Sequence, residues 1–216
     1  GIPVAINPYA EPDLYYAPTL ERVRGIEVVK GSGSILFGPQ TIGGVINFIT
    51  LFPPEKREAM AMLRGGERGQ FEMLGRYGDA HGRVRYVAQV SFKRGDGFRD
   101  QNFRSLDVFG KLAFPTGTAG EAVVKLGYYH TLAASDAVGL TAAMFASDRH
   151  RPTIAPHDRM DLQRYELSLV HEQRLSDRVL LRTLAYGYAT DRLWRRQDYD
   201  RTPNAARRYE RIVGDI

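Results

Sequence analysis

The chain has no cysteine, a single tryptophan and only five lysines, against 25 arginines, in 216 residues. Without cysteine there is no disulfide framework, no thiolate zinc site, no iron–sulfur cluster and no thiol nucleophile. No stretch reaches the roughly 18 consecutive apolar residues of a membrane-spanning helix. That absence leaves a transmembrane β-barrel open, because barrel strands alternate apolar and polar residues and never form a long apolar run. A segment of one charge sign is missing too. The formal net charge is +5, but 25 acids are interspersed with the bases. The densest basic pairs, Arg195–Arg196 and Arg207–Arg208, lie beside Asp198, Asp200 and Glu210. A nucleic-acid surface gathers its bases into a stripe or tail, so nucleic acid is not an expected partner. At 43% hydrophobic residues the chain is also too apolar for a disordered tail.

What is present divides into two textures. Residues 1–54 are dense in Gly and Pro. There PTLERVR (18–24) predicts a helical turn, which Gly25 breaks. IEVV (26–29) and VINFIT (45–50) read as strands around the glycine-punctuated stretch KGSGSILFGPQTIGG. The prolines of LFPPEK cannot continue a ladder and predict a domain boundary at about residues 51–56. Residues 55–216 repeat a strand of about ten residues followed by a break. Val84, Tyr86, Val90, Leu106, Val108, Leu126 and Tyr128 fall on one set of faces, and Arg83, Arg85, Asp107 and Lys111 on the other. Comparable alternation recurs in residues 71–78 and 165–172 and, less cleanly, in 180–188, where Arg182 shares a face with Leu180, Leu184 and Tyr186. Period-two alternation repeated in this way predicts antiparallel strands. The connections alternate short and long: GDAHG, PTGTAG and SD are tight, whereas residues 94–103, 135–160 and 195–207 are longer. Outer-membrane barrels sort their loops like this, and soluble sandwiches have no reason to. Aromatics near strand ends, Phe92, Phe114, Tyr128, Tyr129, Trp194 and Tyr199, suit interfacial girdles. The chain opens at Gly1 without an initiator Met and closes on RRYERIVGDI, which reads as the start of a strand. It is therefore expected to be a piece of a longer protein.

The run TLERVRGIEVVKGSGSILFGPQTIGGVINFIT (19–50) resembles the end of the plug domain of TonB-dependent outer-membrane receptors. The variant GPQTIGGVINF, preceded by PYAEPDLYYAP, looks most like the ferric-dicitrate and siderophore branch. Two departures stand out: Lys30 occupies a position where many members carry Arg, and Phe37 replaces the usual Tyr. The resemblance implies a mainly β fold: the C-terminal half of a plug (1–54), then the first seven to eight strands of an incomplete transmembrane antiparallel β-barrel (55–216). Within the plug motif Gly31, Gly33, Gly38, Gly43, Gly44, Asn47 and Lys30 are expected to be structural, the glycines because tight turns demand positive φ or close backbone approach.

By the same resemblance the whole protein is an outer-membrane receptor of a Gram-negative bacterium that takes up a ferric chelate, ferric citrate or another siderophore. Its expected partners are that chelate, outer-membrane lipid and the TonB complex, the last through an N-terminal segment. No cofactor is expected, with iron present only as part of the cargo. No metal site and no catalytic residue are expected either, so the protein is read as a non-enzyme. The Asp and His residues between 148 and 161 match no ligand spacing, KGSGS lacks the ending of a P-loop, and no nucleophile elbow occurs. The expected chelate contacts are Gln40 and Tyr9 from the plug, with Arg149 and Arg151 closing from the long loop; Arg99, Arg104 and Arg159 add charge to the loops. A non-transport outer-membrane barrel and a soluble β-rich binding protein are the alternatives.

Overall fold

The computed structural model describes residues 2–4, 16–31, 43–99, 101–135, 139–152, 155–199 and 208–211. A 3-10 turn at Leu20–Arg22 leads directly into β1 (Val23–Lys30), which pairs antiparallel with β2 (Gly44–Thr50). The expected break at Gly25 is instead a register shift between Val23 and Gly25, because a residue without Cβ lets the strand kink and continue. This two-stranded sheet stands apart from a second sheet of eight strands. Its members are β3 (Glu58–Gly65), β4 (Phe71–His81), β5 (Val84–Gly95), β6 (Phe103–Thr116), β7 (Gly120–Ala134), β8 (Arg159–Ser176), β9 (Val179–Tyr199) and β10 (Arg208–Arg211). Each is hydrogen-bonded antiparallel to its neighbours in sequence, a plain meander.

The connections sort to two ends of the sheet. At one end lie the short turns at 82–83, 117–119 and 177–178; at the other lie residues 66–70 and the described parts of the connections that follow β5 and β7. The longest contains a feature absent from the sequence expectation, a six-residue helix α1 (Ala142–Ser147) capped by Thr141, whose Oγ1 accepts from the Met144 amide. It is too short for hydrophobic periodicity to mark it. Among the described residues no helix is long and apolar enough to cross a membrane.

The alternation read from the sequence sorts the two faces as expected. On β5, Val87, Gln89 and Ser91 are buried while Val84, Tyr86 and Val90 are exposed; on β6, Asp107 and Phe109 are buried while Val108 and Leu112 are exposed. The polar set faces the first sheet and the apolar set faces away from it. Arg83, Tyr129 and Trp194 differ from the expectation, and Phe109 adds a feature it did not cover. Arg83 lies in the β4–β5 turn rather than on a strand. Phe109 falls on the polar, inward face and is buried there beneath the first sheet. Tyr129 and Trp194 also point inward: Tyr129 packs edge-on against Tyr16, with ring centroids 5.3 Å apart, and the Trp194 indole N–H donates to Ser135 Oγ at 3.4 Å. Neither belongs to an outward girdle, whereas Tyr128 does, packed on Tyr165 at 5.0 Å.

Candidate functional site

The contact between the two sheets is built on successive rungs of the inner wall, set by strand register. The middle rungs place Gln89, Phe109, Gly127 and Glu166 in a row, and Ser91, Asp107, Tyr129 and Arg164 in the next. Arg22, which ends the 3-10 turn, reaches into both. Its side chain is 2% exposed, donates from Nη1 to Glu166 Oε1 at 2.9 Å and lies 3.8 Å from Asp107 Oδ2. Its guanidinium also lies over the Phe109 and Tyr16 rings, 5.7 Å from each centroid. Glu166 is shared with the wall's own Lys125 at 3.6 Å. Gly127 stands opposite Glu166, and a Cβ there would meet the Glu166 carboxylate at 2.4 Å, so the bare backbone makes room for the acid that receives Arg22. A guanidinium suits this position because it keeps its charge when buried and stacks on rings while donating in its plane.

Contacts above and below extend the dock. Glu21, next to Arg22, meets Lys93 of β5, which also lies 3.4 Å from Glu72 of β4. Burial alone would lift Glu21, but the Lys93 hydrogen bond and charge outweigh it and hold the carboxyl below the usual carboxylate range. Arg76 of β4 donates to Glu21 O at 2.7 Å and to Gln89 Oε1 at 2.8 Å. Arg164 of β8 lies over the Tyr16 ring at 4.5 Å and the Tyr188 ring at 3.8 Å, and donates to Val4 O at 3.0 Å. Nearest the short-turn end, Lys111 donates to Thr50 O at 3.4 Å and sits over the Phe52 ring at 4.8 Å. The chain then crosses to the wall through Pro53–Pro54, and Pro54 occupies the space a Cβ on Gly78 would need, 2.7 Å away. Between β2 and the wall a cavity of about 1360 Å³ remains, bordered by Lys111, Lys125, Arg164, Glu166 and Arg182.

The residues expected from the sequence distribute unevenly around this dock. Gln40, Tyr9, Gly33 and Gly38 lie outside the described residues. Gly31 adopts φ +86° and donates its amide to Gly43 O at 3.3 Å, closing the β1–β2 pair. Gly44 has φ +147°, and a Cβ there would lie 2.6 Å from Val29 O. Lys30 pairs in register with Gly44 and is exposed, reaching no wall residue among those described, while Asn47 donates to Glu27 Oε2 at 2.9 Å within the same sheet. Arg149 and Arg151 are both exposed at the long-loop end: Arg149 Nε contacts His150 Nε2 at 3.3 Å, and Arg151 O accepts from Arg99 Nε at 2.9 Å. Arg104 and Arg159, expected in loops, lie in β6 and β8. The residues that sequence reasoning missed are Arg22, Phe109, Glu166 and Arg164. The available signal was Phe109 itself, a large apolar residue out of phase on a polar face.

An antiparallel meander, apolar on one face and polar on the other, with a small two-stranded element pinned to its polar face, defines part of a plugged transmembrane β-barrel. More narrowly, the chain is similar to part of the TonB-dependent receptors. No family model matches it. A curated relative, the vitamin B12 transporter BtuB of Photobacterium profundum, is 27% identical over 122 residues, which is 51% of this chain and 20% of the relative. Among solved structures, the ferric citrate transporter FecA in its unliganded form superposes with a TM-score of 0.72 at 25% identity, over 91% of this chain and 31% of that one. The siderophore receptor PiuA from Acinetobacter baumannii superposes with a TM-score of 0.70 at 14% identity, over 84% of this chain and 28% of that one. The chain thus spans a fifth to under a third of these proteins.

Proposed function

We propose that the whole protein is a receptor in the outer membrane of a Gram-negative bacterium that takes up a ferric chelate, ferric citrate or another siderophore. Uptake is powered by the TonB complex acting on the plug. Binding and plug rearrangement make and break no covalent bond, so this is transport and not enzymatic catalysis. The observation that carries the reading is the plug element held to the inner wall by Arg22, Glu166 and Asp107, contacts that have to be released for cargo to pass. An open porin lumen has no use for such a dock. The similarity to the ferric citrate transporter over 91% of the chain favours an iron chelate.

Gln40 and Tyr9 from the plug, with Arg149 and Arg151 from the long loop, are the proposed contacts for the chelate's carboxylates. Loss of one charge-assisted contact costs about 1.5–3 kcal/mol, roughly ten- to a hundredfold in affinity. A second reading, uptake of a corrinoid, is favoured by the 27% identity to the B12 transporter. The deciding experiment expresses the full-length gene in a receptor-deficient strain and measures accumulation of radiolabelled ferric citrate and of radiolabelled cobalamin, with and without TonB. TonB-dependent accumulation of iron alone supports the first reading, and accumulation of cobalamin alone replaces it with the second.

A further inference from the structure

The outward face of the wall carries a charge arrangement that the plug does not explain. In the register of the sheet, Arg94 of β5 stands directly opposite Arg104 of β6, and Arg159 of β8 directly opposite Arg195 of β9. Parity places all four outward. Ser91, Asp107, Leu162 and Arg192 are buried on the inner face of these strands, and each arginine lies an odd number of residues from its own strand's marker. All four are exposed, and all lie at the long-loop end.

Like charges directly opposite on neighbouring strands repel, their Cβ atoms being about 4.5–5.5 Å apart. Here the repulsion occurs twice, with only β7 between the two pairs. From strand spacing and rise, Arg104 and Arg159 lie roughly 12 Å apart. Among the described residues none of the four takes part in an ion pair. The nearest outward acid on β8, Asp161, is occupied by His130 at 2.9 Å. Beside and below the arginines the face is aromatic and aliphatic: Phe71, directly opposite Arg94, and Phe92, with ring centroids 6.5 Å apart, then Val90, Val108, Tyr128 and Tyr165. The Arg94 guanidinium already lies over the Phe71 ring, 5.8 Å from its centroid.

We propose that these two arginine pairs form a site for a phosphorylated glycolipid of the outer leaflet, its sugar-borne phosphates lying between the guanidiniums of each pair and its acyl chains on the apolar face beneath. A phosphate offers each pair the bidentate acceptors that guanidinium geometry favours and removes the like-charge repulsion. A carboxylate-bearing cargo is a poor match, because this face points away from the lumen. The proposal rests on the outer-membrane reading, since only there does such a lipid face the strands.

The test uses the full-length receptor purified in non-ionic detergent, with bis-phosphorylated lipid A and its dephosphorylated form as probes in mixed micelles. The variants are Arg94→Gln/Arg104→Gln, Arg159→Gln/Arg195→Gln and the four combined, each checked for folding by heat-modifiable gel migration. Each double variant is expected to weaken binding of the phosphorylated lipid about tenfold and the quadruple about a hundredfold, while the dephosphorylated lipid binds the native receptor no better than the quadruple variant binds either. Unchanged affinity in both double variants, or equal affinity of the native receptor for the two lipids, overturns the proposal. Membrane fractionation of native receptor tests the outer-membrane reading separately, because it does not depend on the four arginines.

Discussion

The two faces of β5–β8 come from the same strands, residue by residue in alternation, yet they invert the usual relation between polarity and burial. Inside, Ser91, Asp107 and Arg164 are almost fully buried; outside, Leu126 is 58% exposed and Leu167 54% exposed. In water such an arrangement would be unfavourable on both sides, since apolar surface is hydrated and buried polar groups are desolvated. It becomes stable when hydrocarbon covers the outside and the inner polar groups pair with one another. The comparison teaches that the inner face is specified by individual partners, while the outer face is specified only by the kind of solvent it meets.

The sharpest way to break the inner face is Arg22→Ala in the full-length receptor. It leaves Asp107 and Glu166 buried without the plug's charge, and removing one member of a buried ion pair costs about 3–5 kcal/mol. The expected result is earlier release of the plug in chemical denaturation, read by protease cleavage of plug segments while the barrel remains resistant. On the outer face, Leu126→Arg places a charge near the middle of β7. A destabilisation of roughly 2–4 kcal/mol is expected in reversible folding into bilayers, because arginine at mid-membrane depth costs that much on a barrel's lipid face. If Leu126→Arg were neutral while Arg22→Ala kept its effect, the outward face would not be the lipid face.

The alternation that separates the faces was legible because a period of two is local: each residue declares its side within its own strand. The dock was not, because its partners are set by register between distant segments. Arg22 and Glu166 are 144 positions apart and nothing near either names the other. Phe109 was the visible exception, and Lys111 shared its side for the same reason, both lying under plug residues. The glycines read more easily, since Gly31 and Gly44 signal their turn by type alone. Lys30, by contrast, carries a charge that sequence could not aim, and it is exposed at the end of β1.

Two smaller perturbations probe the plug itself. Gly44→Ala puts a Cβ against Val29 O in a conformation L-residues avoid, at a cost of about 1–3 kcal/mol, and thermal unfolding of the full-length receptor should show the plug transition lowered with the barrel transition unmoved. Acidification should act least. Glu21 is held below the ordinary carboxylate range, so the stability from its contact with Lys93 is complete above that range and is lost only as pH falls through the depressed value. Plug protease resistance should therefore be flat from pH 7 to pH 5 and decline only in stronger acid, with Glu21→Gln removing that decline. A loss centred near pH 6 would assign the sensitivity to another group.

The crossing at Pro53–Pro54 against Gly78 gives the plug a mechanical character. Residues 51–57 tie the element to the start of β3, and Lys111 on Thr50 O and Pro54 against Gly78 make this foot its anchor on the wall. A pull therefore turns it about that foot, with leverage growing rung by rung. The Glu21–Lys93 contact sits farthest up the wall and takes the largest displacement, the Tyr16–Tyr129 contact lies level with the Asp107 rung, and Lys111 on Thr50 takes the least. A pull applied at the upper end is accordingly expected to part the contacts from the top down, the Arg22 cluster before the foot.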